Sequence, residues 1–125
     1  MNVRLPGHLV DVLSMVADRW APGARSGVAA VLRILLHRFG NDPSFARCVA
    51  QHVSDPLAQG PGDHDVSVRV PAQLLVAVDD MTERLGIATR SEALPALIAR
   101  AKIDVLDEGD STLMDAMERA LAGVG

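Results

Sequence analysis

Val66-Ser67-Val68-Arg69-Val70-Pro71 alternates apolar and polar residues and then stops at a proline. A period of two puts Val66, Val68 and Val70 on one face and Ser67 and Arg69 on the other, the pattern of a strand with one buried side. After Pro71 the apolar residues change period: Leu74, Val78, Met81 and Leu85 recur at helical spacing and mark one helix face. Proline suits the first turn of that helix, because its missing N–H is one that a helix start leaves unpaired anyway. Gly86 is suited to the left-handed position that ends a helix, and Thr89-Arg90-Ser91-Glu92 opens the next one with the spacing of a capping box. That second helix carries Leu94, Leu97, Ile98 and Ala101. Pro95 within it removes one i to i−4 bond and crowds a carbonyl, so a kink or a late start is expected there.

Moving the sequence 65 positions against itself finds the same grammar at the N-terminus. Val3-Arg4-Leu5-Pro6 aligns with Val68-Arg69-Val70-Pro71, and eight identities fall in 37 ungapped positions: Val3/Val68, Arg4/Arg69, Pro6/Pro71, Leu9/Leu74, Arg19/Arg84, Arg25/Arg90, Ser26/Ser91 and Leu32/Leu97. The pairs Leu13/Val78, Val16/Met81, Trp20/Leu85 and Val28/Ala93 keep the apolar stripe in register between them. In this first unit Met1, Val3 and Leu5 alternate with Asn2 and Arg4, and Leu9, Val12, Leu13, Val16 and Trp20 form a helix face. Ala21-Pro22-Gly23 breaks the chain, and a second helix carries Leu32, Leu35, Leu36 and Phe39. Its start, Ala24-Arg25-Ser26-Gly27, lacks the capping box.

The chain therefore divides into a first strand-helix-helix unit over 1–39, a linker over 40–65, a second unit over 66–106 and an acidic helix or tail over 107–125. Asn41-Asp42-Pro43 and Gln59-Gly60-Pro61-Gly62 punctuate the linker, and Phe45 to Val53 between them has room for a short helix. In the tail, Leu113, Met114, Met117 and Leu121 fall at helical spacing, which suits packing on the core or binding a partner protein.

At 125 residues and 49% hydrophobic content the chain has enough apolar material for a real core. The single cysteine, Cys48, has no internal disulfide partner, and the sequence opens with no secretory pattern, so a cytoplasmic protein is expected. No apolar run is long enough to span a membrane. The formal charge of −4 opposes phosphate binding, but six acids against one base lie from Ile103 onward, leaving +1 for the first 102 residues. Any contact with DNA must rest on a few well-placed groups.

An alternating strand ending in proline, followed by helix, turn and helix with Gly86-Ile87-Ala88-Thr89-Arg90-Ser91-Glu92-Ala93 at the turn, resembles the ribbon-helix-helix family of the Arc and MetJ repressors. The second unit is the better match. The first keeps the strand and Arg25-Ser26 but loses the glutamate and the position of the turn glycine. The resemblance implies a mostly α fold with a two-stranded antiparallel β-ribbon, duplicated into an intramolecular pseudo-dimer like the tandem members associated with conjugative and plasmid DNA processing. It implies double-stranded DNA as partner, with the ribbon in the major groove. The outward side chains Asn2, Arg4, Ser67 and Arg69 would then read bases, arginine pairing with guanine and asparagine with adenine. By the same resemblance the start of each second helix binds a phosphate, near Arg25-Ser26 and Thr89-Arg90-Ser91.

Arginines on a solvated strand are often only solvated, and Asp63 and Asp65 just before the second strand would meet phosphates. Three functions therefore stand: a site-specific DNA-binding protein acting as a repressor or as an accessory factor in plasmid transfer or partition; an antitoxin whose tail binds a toxin; and a pairing scaffold that has lost DNA binding. The first two allow several copies to assemble on adjacent DNA sites. His8, His37, His52 and His64 lack metal-ligand spacing, so neither metal nor other cofactor is expected. No base stands near Cys48 in sequence, and neither a glycine-rich phosphate loop nor Gly-x-Ser-x-Gly is present, so no enzymatic activity is expected.

Overall fold

Residues Asn2–Leu5 form strand β1, and it pairs antiparallel with β2, His64–Ser67, in a two-stranded sheet. Asn2 faces Ser67, Val3 faces Val66, Arg4 faces Asp65 and Leu5 faces His64. The computed structural model describes residues 2–20 and 27–103. The alternation expected from the sequence is present: Val3 and Leu5 are buried while Asn2 and Arg4 are exposed, and Val68 is buried between exposed Ser67 and Arg69. The paired stretch, however, starts two residues before Val66 and ends at Ser67, so His64 and Asp65, read as linker, belong to the ribbon. Register is set by which side chains of both strands go under the sheet, and a slip of one residue would turn Val3 and Leu5 out to solvent.

Six helical segments accompany these strands among the described residues: α1 (Gly7–Trp20), α2 (Gly27–Asn41), α3 (Pro43–Ala50) and a 3₁₀ turn (Pro56–Ala58) between β1 and β2, then α4 (Ala72–Arg84) and α5 (Arg90–Ala101). The two prolines begin their helices alike. Leu9 and Val10 donate to the Pro6 carbonyl, and Leu74 and Leu75 donate to that of Pro71. Gly86 ends α4 with φ +71, where Ile87 N–H reaches Thr82 O and Gly86 N–H reaches Glu83 O, satisfying two carbonyls that a helix end leaves open. At the start of α5 the Thr89 hydroxyl accepts from Glu92 N–H at 3.3 Å, while the Glu92 carboxylate accepts from Ala88 N–H, one residue before the cap. The expected late start is not found: α5 begins at Arg90 with Pro95 inside it. The bond that Pro95 cannot make belongs to the carbonyl of Ser91, an exposed residue that water can serve.

Asn41-Asp42-Pro43 is a junction more than a break. Asn41 closes α2 by donating to His37 O, Asp42 caps α3 by accepting from Phe45 N–H at 3.2 Å, and Pro43 takes the first turn. Arg38 lies over the Phe45 ring at 4.4 Å, holding the two helices together. Through Phe45, Ala46 and Val49 this short helix adds to the core and packs against α5.

The apolar stripes of both units meet in one cluster. Leu9, Leu13, Val16, Leu32, Leu35, Leu36 and Phe39 of the first lie with Leu74, Val78, Met81, Leu94, Leu97, Ile98 and Ala101 of the second. The Trp20 side chain and Met1, also expected on the inward faces, lie outside the described residues. Contacts run mainly across the two units, α2 on α4 and α5, α1 on α5 and β1 on β2, so neither unit closes a core on its own. At two helix junctions a glycine lies close to the neighbouring helix. A Cβ on Gly27 would sit 2.8 Å from that of Ala17, and one on Gly40 would sit 3.1 Å from that of Ala77. Among the described residues no helix is long and apolar enough to cross a membrane.

Candidate nucleic-acid interface

The solvent side of the ribbon carries four polar side chains in two cross-strand pairs. Asn2 and Ser67 form the first, with the Ser67 hydroxyl donating to Asn2 Oδ1 at 2.7 Å. Arg4 and Asp65 form the second, with 3.3 Å between Nε and Oδ1. Both members of the ion pair are widely exposed, 71% and 76%, so water screens their attraction and the pair adds little to stability. With Arg4 and Asp65 paired, the four outward side chains of the paired ribbon carry no net charge.

Arg69, expected beside Arg4 on that face, is exposed but lies past Ser67, where the ladder ends. In this register it falls beyond Asn2, the first described residue. It lines a shallow groove of about 340 Å³ with Arg33 of α2, Val70 and Pro71. Arg33 is therefore a basic neighbour that the sequence reading did not single out. Its only signal is a charge interrupting the apolar run from Val31 to Leu36.

The start of α5 stands beside β1. Asn2, Val3 and Arg4 form one wall, and Thr89, Arg90, Ser91 and Leu94 the other, of a concave surface of about 600 Å³. Residues picked out separately for reading bases and for holding a phosphate thus share one face. The first turn of a helix has N–H groups without intrahelical acceptors and a partial positive charge, which attract anions. Two acids moderate that attraction: Asp79 pairs with Arg90 at 2.9 Å, and Glu92 lies in the same first turn. Arg25 and Ser26, the corresponding pair of the first unit, lie outside the described residues.

At the other end of the ribbon His64 Nδ1 is 2.9 Å from Asp63 Oδ1. That hydrogen bond holds the Asp63 carboxyl below its ordinary range, aided by backbone N–H groups and the nearby imidazole charge. Asp65 and Asp79 belong to the candidate site through their pairing with Arg4 and Arg90, which the sequence reading did not anticipate. Asp65 could have been found by extending the alternation back from Ser67, whereas Asp79 reaches Arg90 only through the packing of α4 against α5.

Among the described residues no group of three or more His, Cys, Asp or Glu side chains is placed to hold a metal ion. Cys48 is a half-buried free thiol on α3. No family model matches the chain, no curated protein matches it in sequence, and no solved structure matches it. What is established is a mostly helical protein with a two-stranded antiparallel sheet.

Proposed function

We propose that this chain is a double-stranded-DNA-binding protein of the ribbon-helix-helix type, with two strand-helix-helix units forming a pseudo-dimer within one chain. The observation that carries the reading is the single concave face joining Asn2 and Arg4 of the ribbon to Thr89, Arg90 and Ser91 of α5. A two-stranded ribbon fits the major groove, and donors at a helix start beside it would hold the flanking phosphate and fix the register on the duplex. The pairing register supports the pseudo-dimer. Asn2 and Ser67, which face each other, are 65 positions apart, the same offset that relates the two halves of the sequence. A two-fold axis between the units would pass through that pair.

The role is that of a repressor or of an accessory factor in plasmid transfer or partition. Because the ribbon face is neutral, few phosphates are neutralised on binding, and the salt dependence is correspondingly shallow. The test is binding of the purified protein to duplex DNA from its own upstream region and to unrelated duplex, across a salt series. Site-selective binding that weakens with salt and is lost in an Arg4→Ala, Arg69→Ala variant supports the reading. Equal and feeble binding to both sequences contradicts it.

A second reading, a pairing scaffold that does not bind DNA, is favoured by the acids that engage Arg4 and Arg90. It predicts that the same double variant keeps every activity of the protein. An antitoxin role depends on the tail, residues 107–125, which lies outside the described residues.

A further inference from the structure

Asp65 is the one acid on the paired ribbon's outer face, and it sits directly across from Arg4. The two side chains have opposite hydrogen-bonding character. A guanidinium only donates, and an ionised carboxylate only accepts. Their contact runs through Arg4 Nε, which leaves the terminal Nη groups to donate elsewhere. Both side chains stand well clear of the protein, on the same side as Asn2 and Ser67.

A G·C pair presents the complementary pattern in the major groove. Guanine offers the acceptors N7 and O6, and cytosine offers its N4 amino donor next to them. We infer that Asp65 is a specificity-determining residue, accepting from the cytosine amino group of a G·C pair whose guanine Arg4 reads. This rests on the DNA-binding reading above and deepens it. The ion pair fixes the two side chains side by side before DNA arrives, so Asp65 is a positioning residue for Arg4 as well as a contact.

The carboxylate also discriminates by penalty. Over a thymine it would face the O4 acceptor and the methyl group, giving up its water without gaining a donor and standing close to like partial charge. A sequence that lacks an amino group at that position is rejected even where the rest of the site is right. A residue that costs affinity on most DNA thereby contributes selectivity on one, which accounts for an acid on a ribbon that has few positive charges.

The experiment is selection of sites from a pool of randomised duplexes by the full chain, followed by competition binding on the selected site and on the same site with its G·C pair replaced by A·T, so that adenine takes the guanine's place and thymine the cytosine's. Wild type, Asp65→Asn, Asp65→Ala and Arg4→Ala are compared, with circular dichroism melts confirming that each variant is folded. The expected result is a shared G·C pair in the wild-type sites and a loss of roughly tenfold or more on replacing it. Both Asp65 variants should lose most of that difference and keep the preferences at other positions. If Asp65→Ala instead tightens binding to every duplex by one common factor with preferences unchanged, Asp65 is only a counter-charge and the inference is overturned while DNA binding stands. If wild type selects no site at all, the DNA-binding reading itself falls, and this inference with it.

Discussion

Ser67 donates a 2.7 Å hydrogen bond to Asn2 across the ribbon, and the two residues occupy the same position in the two halves of the sequence. The pair is exposed, so its worth lies in shape more than in stability. Ser67→Ala should cost no more than about 1 kcal/mol in chemical denaturation. It should still change which duplexes are preferred, because Asn2 loses the partner that orients its amide. A variant with wild-type preferences would remove Asn2 from the reading face.

Arg4 and Arg69 are equivalent in the repeat but not in the structure, since Arg4 is within the ladder and Arg69 beyond it. They should therefore behave differently when removed. Arg4→Ala is expected to alter sequence preference. Arg69→Ala should weaken binding to all duplexes alike and lower the salt slope by about one, as for the loss of a single phosphate contact. Competition binding at several salt concentrations separates the two, and indistinguishable variants would count against the register argument.

The approach of α1 and α2 depends on Gly27, whose Cβ would come 2.8 Å from that of Ala17. Gly27→Ala should destabilise the fold by about 1–3 kcal/mol in urea melts, the usual cost of overpacking a tight contact. Ala17→Gly in the same chain should relieve the clash, so that the double variant loses less than the sum of the two singles. Simple additivity would mean that the helices can part freely.

Thr89 caps α5 through a bond to Glu92 N–H. Thr89→Ala should lower stability by about 1 kcal/mol, the common cost of losing such a cap. It should also weaken DNA binding by loosening the helix start that flanks Arg4. The melt and the binding assay on one sample check both effects; a stability loss with unchanged DNA affinity would restrict Thr89 to capping.

Much of this fold is legible in the sequence because two periods write it out. Alternation marks Val3, Leu5 and Val68 as inward, and helical spacing marks the stripes that become the core. The cap at Thr89 and the turn at Gly86 follow from local chemistry and were equally readable. The short helix α3 was harder to place. Eight residues give barely two turns of periodicity, and Asp42-Pro43 looks like a break until its side chain is seen capping Phe45 N–H.

The candidate site was legible only in part. Asn2, Arg4 and the Thr89 to Ser91 segment share a face, but Asp65 opposite Arg4 depends on a register between strands some sixty residues apart in sequence. Local pattern does not fix such a register; the joint burial of Val3 and Leu5 with their neighbours does.

In the proposed complex, duplex DNA meets the outer face of the ribbon and the adjacent start of α5. The most direct measurement follows the backbone amide resonances of the isotopically labelled protein as duplex DNA from its upstream region is added. Shifts are expected to concentrate at Asn2 to Arg4, Asp65 to Arg69 and Ala88 to Glu92, while α3 is left unmoved. Shifts spread over α3, or none at concentrations where binding is otherwise seen, would contradict it.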